Sequence, residues 1–497
     1  MFRTNLTQAI KHSSIYSLSW VANAVAGVAL LPVYSRYLSR ADYGALDLVN
    51  QNNTILKIVF VSCFTYSLGR LYHDTKSEQD KRNVLASGAT GALVAGIVAS
   101  SCLLLFHDQV SQLLLGNTTY SNLIVAGALV LLLDIVFTGF AYELIVTNKS
   151  AHFVFANLVK LCIAIVVNLI CLLWLDLAAL GMLIGNACGL TAANVYVVGR
   201  HMKHIGLIID RATISRMISF GSPMIIAGVL AAALHSSDRL MLRPFSGLDQ
   251  VGLFMMGLQF PNMLNAILVT SFGRVWGGSL MFTMSKQSDA DRQIGRMATY
   301  LLAFFISAQT ILGIFSSTLI EILAAPKFAI SAAVAPIACL GFCFHSIYLF
   351  LVTKAFTHGN PRRMVPAYAI PLIAKIALTF YLVPIYGYMA SAFILMLGYL
   401  TFAMTCFLLF RKESTTQFEW NRIVLLFGLG TAFLSASYLT NTASTMQQIC
   451  LQVLLAAAYV GTLATTPIFT KSEKSALYKE VRDRISKFTQ PTSKITQ

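Results

Sequence analysis

Fourteen apolar stretches, each long enough to cross a lipid bilayer, limit what this chain can fold into more than any other feature. A helix needs about 20 apolar residues to span the hydrocarbon core and satisfies its own backbone hydrogen bonds there, whereas barrel strands are alternating segments of about ten residues. The stretches lie at about 14–35, 45–68, 83–106, 121–142, 153–174, 178–198, 217–236, 252–273, 298–323, 329–352, 365–384, 387–410, 423–440 and 446–468. The sequence therefore predicts an all-α integral membrane protein with about fourteen transmembrane helices.

The composition agrees with a membrane protein. Only 11% of the 497 residues are charged, against about a quarter in a soluble chain. The nine cysteines lie in apolar stretches without the spacing of a zinc site or a disulfide framework, so we expect small apolar side chains and no metal. The net charge of +16 is explained by loops that orient the helices, and no nucleic-acid partner is expected.

The distribution of that positive charge predicts the orientation. With a cytoplasmic N-terminus, 27 of the 36 Lys and Arg residues fall in inside segments and only 5 in outside segments. The positive-inside rule then favours an even number of spans with both termini in the cytoplasm. The tail from Lys471 is expected to be a short amphipathic helix on the membrane surface or, alternatively, a disordered basic end.

Two sequence landmarks indicate an internal repeat. The glycine of Leu38-Ser39-Arg40-Ala41-Asp42-Tyr43-Gly44 recurs 208 positions later in Phe245-Ser246-Gly247-Leu248-Asp249-Gln250-Val251-Gly252, and Leu180-Gly181 recurs as Tyr386-Gly387 at 206 positions. Units of six spans run in the same direction, so an axis along the membrane normal would relate them. The alternative is coincidence, since an acidic residue followed by glycine is a common loop signal. The predicted division is an N-lobe over 1–205, a C-lobe over 206–412, spans 13 and 14 over 413–470, and a cytoplasmic basic tail over 471–497.

Several motifs carry a resemblance to a known family. They are Leu31-Pro32-Val33-Tyr34-Ser35-Arg36-Tyr37-Leu38-Ser39-Arg40-Ala41-Asp42-Tyr43-Gly44, Ser237-Asp238-Arg239 with Val251-Gly252-Leu253-Phe254, and Leu382-Val383-Pro384-Ile385-Tyr386-Gly387. In their order and spacing, the chain resembles the O-antigen and exopolysaccharide flippases, the bacterial polysaccharide transporters of the multidrug/oligosaccharidyl-lipid/polysaccharide (MOP) exporter superfamily.

The resemblance implies a function at the bacterial cytoplasmic membrane. The expected activity is translocation of an undecaprenyl-diphosphate-linked oligosaccharide from the cytoplasmic to the outer leaflet, by alternating access between two lobes, for surface polysaccharide biosynthesis. The resemblance also implies a monomer. A polysaccharide polymerase and glycosyltransferases are the expected protein partners, besides the membrane lipids.

Polar side chains on two spans suggest a substrate cleft. On span 2, Asp47, Asn50, Thr54 and Lys57 lie within about 80° of one helix face. The repeat offset of 208 places corresponding polar residues on span 8. These pairs are Gln51 with Gln259, Thr54 with Asn262, and Lys57 with Asn265. Both helices are predicted to line the central cleft.

Two mid-span lysines are the predicted contacts for a diphosphate headgroup. A charge at the bilayer centre costs roughly 2.5–3.5 kcal/mol, so something must offset Lys57 on span 2 and Lys375 on span 11. A diphosphate would do so through charge-assisted hydrogen bonds. The alternative is that each lysine pairs with an intramembrane carboxylate or snorkels. Arg274, at an inner helix end, is a further candidate for the diphosphate.

A predicted ion pair joins spans 4 and 5. Asp134 and Lys160 are each thirteen positions from residue 147, the expected centre of the hairpin, and would lie at similar depth. The alternative is that Asp134 is a coupling site for H⁺ or Na⁺; no other cofactor is expected. Asp238 and Arg239 are predicted to be interface anchors at an outer helix end.

Other function classes fit the sequence less well. A multidrug exporter of the same superfamily should favour carboxylates in its cavity, whereas this chain has at least as many mid-span lysines. The peptidoglycan-precursor flippase usually has an arginine-rich first helix, which is missing here. A membrane-embedded polysaccharide polymerase would need an extramembrane catalytic loop, but the longest outer connection is only about fifteen residues. We therefore expect a transporter and not an enzyme.

Overall fold

The structure is a computed structural model that describes residues 21–147, 149–285, 289–353, 363–411, 416–440 and 445–467. Within these residues the secondary structure is helical, and no strand occurs. The prediction of an all-α membrane protein is confirmed. The predicted basic tail lies outside the described residues.

The membrane helices are numbered α1 to α14 in chain order. The first six are α1 (21–37), α2 (Arg40–Asp74), α3 (Glu78–Leu105), α4 (Ser121–Val146), α5 (Ser150–Leu173) and α6 (Ala178–His204). The next six are α7 (211–246), α8 (248–284), α9 (Ala290–Leu323), α10 (Val334–Leu351), α11 (364–386) and α12 (388–410). The last two are α13 (Trp420–Ser437) and α14 (Thr445–Thr465).

Two of the long helical runs each contain a glycine at which one crossing ends and the next begins. Gly247 has φ 80° and ψ 174°, and Gly387 has φ 55° and ψ −136°. A residue with a Cβ adopts such positive φ values only at a cost. Among the described residues, eleven helical runs are long and apolar enough to cross a membrane. Two of these contain two crossings each and α1 adds one, which agrees with fourteen spans.

Several predicted boundaries were wrong. Span 7 was expected to end at 236, but α7 continues to 246. Span 8 was expected to end at 273, but α8 continues to 284 through two π-helical turns, Ala266–Thr270 and Trp276–Leu280. A short helix between α3 and α4, His107–Leu115, was not predicted. Hydropathy marks the apolar centre of a helix, whereas these extensions are polar or irregular and are held by tertiary contacts.

The repeated glycines Gly44 and Gly252 lie against each other where α2 meets α8. A Cβ on Gly44 would overlap the carbonyl oxygen of Leu248, and a Cβ on Gly252 would overlap that of Arg40. In the repeat, Leu248 is equivalent to Arg40 and Gly252 to Gly44, at the offset of 208. Each glycine therefore contacts the residue that is equivalent to its own helix neighbour four positions earlier, and the two contacts are equivalent. Such reciprocity is the mark of a two-fold relationship. It agrees with the predicted axis, although the lobe boundary at 205–206 stays a prediction.

Connections near this crossing are also bonded to each other. Arg40 Nε donates to the carbonyl oxygen of Lys327 at 2.7 Å, and Lys327 Nζ donates to that of Arg36 at 3.2 Å. The backbone N–H of Ala325 donates to Ser35 Oγ at 2.9 Å. The ends of α1 and α2 are therefore tied to the segment between α9 and α10.

Polar contacts hold α14 against α9. Gln448 Nε2 donates to Thr318 Oγ1 at 3.0 Å, and Thr318 donates to Gln452 Oε1 at 2.8 Å. Gln452 Nε2 also donates to Ser317 Oγ at 3.0 Å, and all four side chains are buried. Because lipid offers no competing hydrogen bonds, such groups associate membrane helices. The last two helices are thus attached to the second half of the chain.

The glycine crossing yields a first prediction. We expect Gly252→Val to lower thermal stability in detergent, because the added carbons have no room against the Arg40 carbonyl and overpacking costs about 1–3 kcal/mol. Gly461→Val is the matched control, since a Cβ at Gly461 meets nothing within 4 Å. Equal melting temperatures for the two variants would contradict the contact.

Candidate functional site

An ion pair between α2 and α4 lies near the middle of both helices. Lys57 Nζ is 2.6 Å from Asp134 Oδ2, and the two side chains are 29% and 27% exposed. The register of α2 is fixed at its start by a capping box, in which Ser39 Oγ accepts from the N–H of Asp42 and the Asp42 carboxylate accepts from the N–H of Ser39. The pairing alternative for Lys57 is thus observed, and the pair still reaches an open surface.

The predicted pair between Asp134 and Lys160 is not formed. No ion pair within 4.0 Å joins them; Lys160 Nζ instead lies 5.6 Å from the ring centroid of Phe137. Since α4 ends at Val146 and α5 begins at Ser150, the hairpin midpoint is one residue later than the sequence suggested. That shift places Lys160 level with Val136 on α4, next to Phe137. Lys160 remains close enough to interact electrostatically with Asp134.

The polar stripe of α2 runs beside this pair. Asn50 and Gln51 are partly exposed, and Thr54 is exposed with its hydroxyl donating to the carbonyl oxygen of Asn50 at 2.8 Å. Polar groups at this depth are unfavourable against acyl chains and normally face protein or a wet cavity. The exposure of this stripe therefore favours a water-accessible surface along α2.

The corresponding residues of α8 are more enclosed. Gln259 is half-buried and accepts from the Tyr43 hydroxyl at 3.5 Å, and Asn262 is also half-buried. Asn265 is 3% exposed, and its Oδ1 lies 3.4 Å from His345 Nδ1 on α10. Asn265, which is equivalent to Lys57, thus makes an uncharged contact with α10, which is equivalent to α4.

Lys375 is enclosed, unlike Lys57. Its ammonium is 2.7 Å from Asp238 Oδ2 and donates to the carbonyl oxygen of Leu234 at 2.6 Å; both charged side chains are at most 2% exposed. Gly398 provides the space, because a Cβ there would overlap the lysine chain. The structure gives Lys375 the carboxylate partner that was the alternative to headgroup binding. In this conformation Lys375 does not reach an open surface.

Asp238 and Arg239 are not the interface anchors that the sequence suggested. Because α7 continues past 236, both lie inside the helix and are at most 2% exposed. Arg239 Nη1 is 3.5 Å from Asp47 Oδ1 on α2, so Asp47 is paired across the two halves of the chain. A Ser-Ser-Asp-Arg sequence with helix on both sides was the signal that could have revealed these buried residues.

The side chain of Arg274 lies outside the described side chains, and its predicted role stays a prediction. All nine cysteines are free, as expected for small apolar residues. In the part of the chain that the structure describes, no group of three or more His, Cys, Asp or Glu residues could hold a metal ion.

Lys57, Asp134 and Lys160 form a mid-membrane cluster with two positive charges and one negative charge. The group with Asp47, Arg239, Asp238 and Lys375 is neutral and buried. The first cluster has one positive charge in excess and a solvent-accessible edge, so it can attract an anion, whereas the second has the properties of a structural network.

The architecture is similar to that of solved membrane transporters, some of which are described as members of the MOP superfamily. The structure is similar to "Lipid II flippase MurJ, inward closed conformation", with a TM-score of 0.73 and 12% identity over 90% of this chain and 98% of that one. It is also similar to an inward-facing multidrug resistance MATE family transporter, with a TM-score of 0.63 and 11% identity over 84% and 98% of the two chains. A MOP superfamily transporter from Pyrococcus furiosus matches with a TM-score of 0.52 and 11% identity over 84% and 94%. At these identities the likeness concerns the fold.

The sequence match identifies the family. Residues 9–276, more than half of the chain, match the family described as polysaccharide biosynthesis protein. The chain belongs to this family, which confirms the resemblance. No curated protein matches the chain.

The charge pairs yield a second prediction. Lys375→Met leaves the Asp238 carboxylate buried without its ammonium partner, and we expect a loss of about 3–5 kcal/mol in the free energy of unfolding. Adding Asp238→Asn to this variant should recover most of the lost free energy of unfolding. Lys57→Met is the control. It should lower the free energy of unfolding less than Lys375→Met does, because Asp134 is 27% exposed. Thermal unfolding in detergent measures the differences, and a greater loss in the control would contradict the burial argument.

A third prediction separates the two possible partners of Asp134. Asp134→Lys should lower thermal stability because it places like charges beside Lys57, and adding Lys57→Asp should restore the attraction and the stability. Adding Lys160→Asp instead should restore much less. Thermal unfolding of the purified variants in detergent is the measurement. Rescue by Lys160→Asp alone would support the pair expected from the sequence.

Proposed function

We propose that the protein is a flippase for an undecaprenyl-diphosphate-linked oligosaccharide in surface polysaccharide biosynthesis. Its site would be the bacterial cytoplasmic membrane, with both chain termini in the cytoplasm. The substrate would move from the cytoplasmic to the outer leaflet, and the protein would act as a monomer beside a polymerase and glycosyltransferases. Membership of the polysaccharide biosynthesis family supports the pathway.

The partly exposed cluster of Lys57, Asp134 and Lys160 is the observation that carries this proposal. One positive charge in excess at mid-membrane is costly, and a diphosphate would offset it. Lys57 can turn from Asp134 towards a phosphate oxygen because its end of the pair is open. Asp134 would then remain near Lys160, so no carboxylate is left wholly without a cation.

The polar stripes supply contacts for sugar hydroxyls. Asn50, Gln51 and Thr54 on α2 are accessible side chains that both donate and accept hydrogen bonds. Gln259 and Asn262 extend this surface on α8. These amides and hydroxyls carry no charge, which suits a neutral oligosaccharide following an anionic headgroup.

The glycine crossing supports alternating access. Gly44 and Gly252 bring α2 and α8 into close contact, and this contact would close the end of the molecule that we expect to face the outside. Small residues permit close approach without side-chain interlocking, so this contact can separate and re-form. In this arrangement the cluster would load from the cytoplasmic side. Coupling to H⁺ or Na⁺ at Asp134 is the alternative role for that residue.

A multidrug exporter is the second candidate, and the fold likeness to a MATE family transporter favours it equally. Such a protein would expel organic cations, which the excess positive charge near Lys57 would repel. The sign of the substrate charge therefore distinguishes the two functions.

The fourth prediction tests the proposed activity directly. In proteoliposomes, we expect the protein to move a fluorescent polyprenyl-diphosphate oligosaccharide between leaflets, measured by loss of fluorescence to an impermeant reductant. Lys57→Ala should slow this about tenfold or more, as expected for the loss of one charge-assisted hydrogen bond. Lys203→Ala is the control, because Lys203 is exposed at the end of α6 and outside the cluster. Efflux of a cationic dye without movement of the lipid would instead establish the exporter.

A further inference from the structure

Two adjoining cavities lie beside α13, away from the charged cluster on α2, α4 and α5. The larger has a volume of about 480 Å³ and lies between α10, α12 and α13. The smaller, of about 210 Å³, lies where α12 ends and α13 begins. Leu351, Phe407 and Trp420 line both, so the cavities share a wall.

The larger cavity has the chemistry of a hydrocarbon site. Its wall includes Phe344 and Phe427, whose rings stack with centroids 5.0 Å apart. Its hydroxyl, that of Thr431, already donates to the carbonyl oxygen of Phe427 at 2.8 Å. Gly428 opens the wall, since a Cβ there meets nothing within 4 Å. A chain of methylene groups fits such a space without leaving a polar atom unsatisfied.

The smaller cavity has the chemistry of an anion site. Arg411 lines it, is exposed, and forms no ion pair with the described residues. Thr416 also lines this cavity, and the residue is 9% exposed. The buried Thr416 hydroxyl has no hydrogen-bond partner among the described residues. A buried hydroxyl without a partner is costly, and an acceptor oxygen in the cavity would remove that cost.

We propose that these cavities bind one anionic phospholipid of the surrounding bilayer. Its phosphate would be held by the Arg411 guanidinium and the Thr416 hydroxyl, and one acyl chain would fill the space between α10, α12 and α13. The charge distribution of the chain places Arg411 at the cytoplasmic leaflet, which is rich in anionic lipid. Such a lipid would join α13 to the second half of the chain.

A bulk phospholipid fits this position better than the substrate of the proposed flippase. The larger cavity is lined by α10, α12 and α13, whereas the cluster with excess positive charge lies on α2, α4 and α5. In the part of the chain that the structure describes, Arg411 is the one cation that lines these cavities. The proposal therefore does not depend on the proposed transport activity.

Trp420 provides the probe, because it lines both cavities. The experiment reconstitutes the full chain with dibrominated phosphatidylglycerol or dibrominated phosphatidylcholine, whose bromines quench tryptophan in contact. The signal of Trp420 is the part of the emission that Trp420→Phe removes. We expect the anionic lipid to quench it at an about tenfold lower mole fraction than the zwitterionic lipid, as expected when one charge-assisted contact distinguishes them.

Matched variants test each part of the site. Arg411→Gln should abolish the preference for the anionic lipid, whereas Arg216→Gln, an exposed arginine at the start of α7, should leave it unchanged. Gly428→Leu should reduce quenching by filling the cavity, whereas Gly461→Leu, where a Cβ also meets nothing, should not. Thr416→Val should weaken the preference without affecting quenching by phosphatidylcholine.

Three outcomes would overturn the proposal. Equal quenching by the two lipids would mean ordinary contact with the bilayer. An unchanged preference in Arg411→Gln would remove the anion site. If a polyprenyl diphosphate relieved the quenching at a mole fraction where unlabelled phosphatidylglycerol did not, the cavity would belong to the carrier lipid.

Discussion

The cost of placing a charge in hydrocarbon governs how the central helices of this protein are arranged. A mid-membrane ammonium group costs roughly 2.5–3.5 kcal/mol unless a partner offsets it. Lys57 and Lys375 each have a carboxylate within 2.7 Å, but only the first pair is open to an outside surface. Both lysines are thus neutralised by a carboxylate. The pair of Lys57 can respond to a ligand, whereas the pair of Lys375 holds helices together.

The two pairs occupy different positions in the internal repeat. Lys57 bonds α2 to α4, whereas the equivalent α8 residue, Asn265, makes a neutral contact with α10. Lys375 bonds α11 to α7, whereas Asn168 on α5, the helix equivalent to α11, bonds to Tyr34 on α1 at 3.4 Å. Each half therefore has one charged and one neutral helix contact, in exchanged places. The two structurally similar halves therefore differ in where their charges lie.

The sequence predicts the helices well because hydropathy and loop charge are summed over many residues. It predicts side-chain partners poorly because these depend on small displacements. A one-residue error in the midpoint of the α4–α5 hairpin changes the α4 residue opposite Lys160 by two positions, which is about 3 Å along the helix axis and is enough for Asp134 to pair with Lys57 instead. Asp238 and Arg239 were misplaced for a related reason: polar residues lower hydropathy and appear to end a helix. Only the neighbouring helices reveal that these charges neutralise one another inside the protein.

This asymmetry has a consequence for a moving anion. The excess positive charge belongs to the first half, while the facing polar groups Gln259 and Asn262 of α8 are uncharged. A diphosphate attracted to Lys57 would stay with the first half as the halves change their relative position. The oligosaccharide could exchange its weaker hydrogen bonds with α8 during that motion. In the proposed flippase, strong attachment to the first half and weak attachment to the second would allow the halves to move without releasing the headgroup into hydrocarbon.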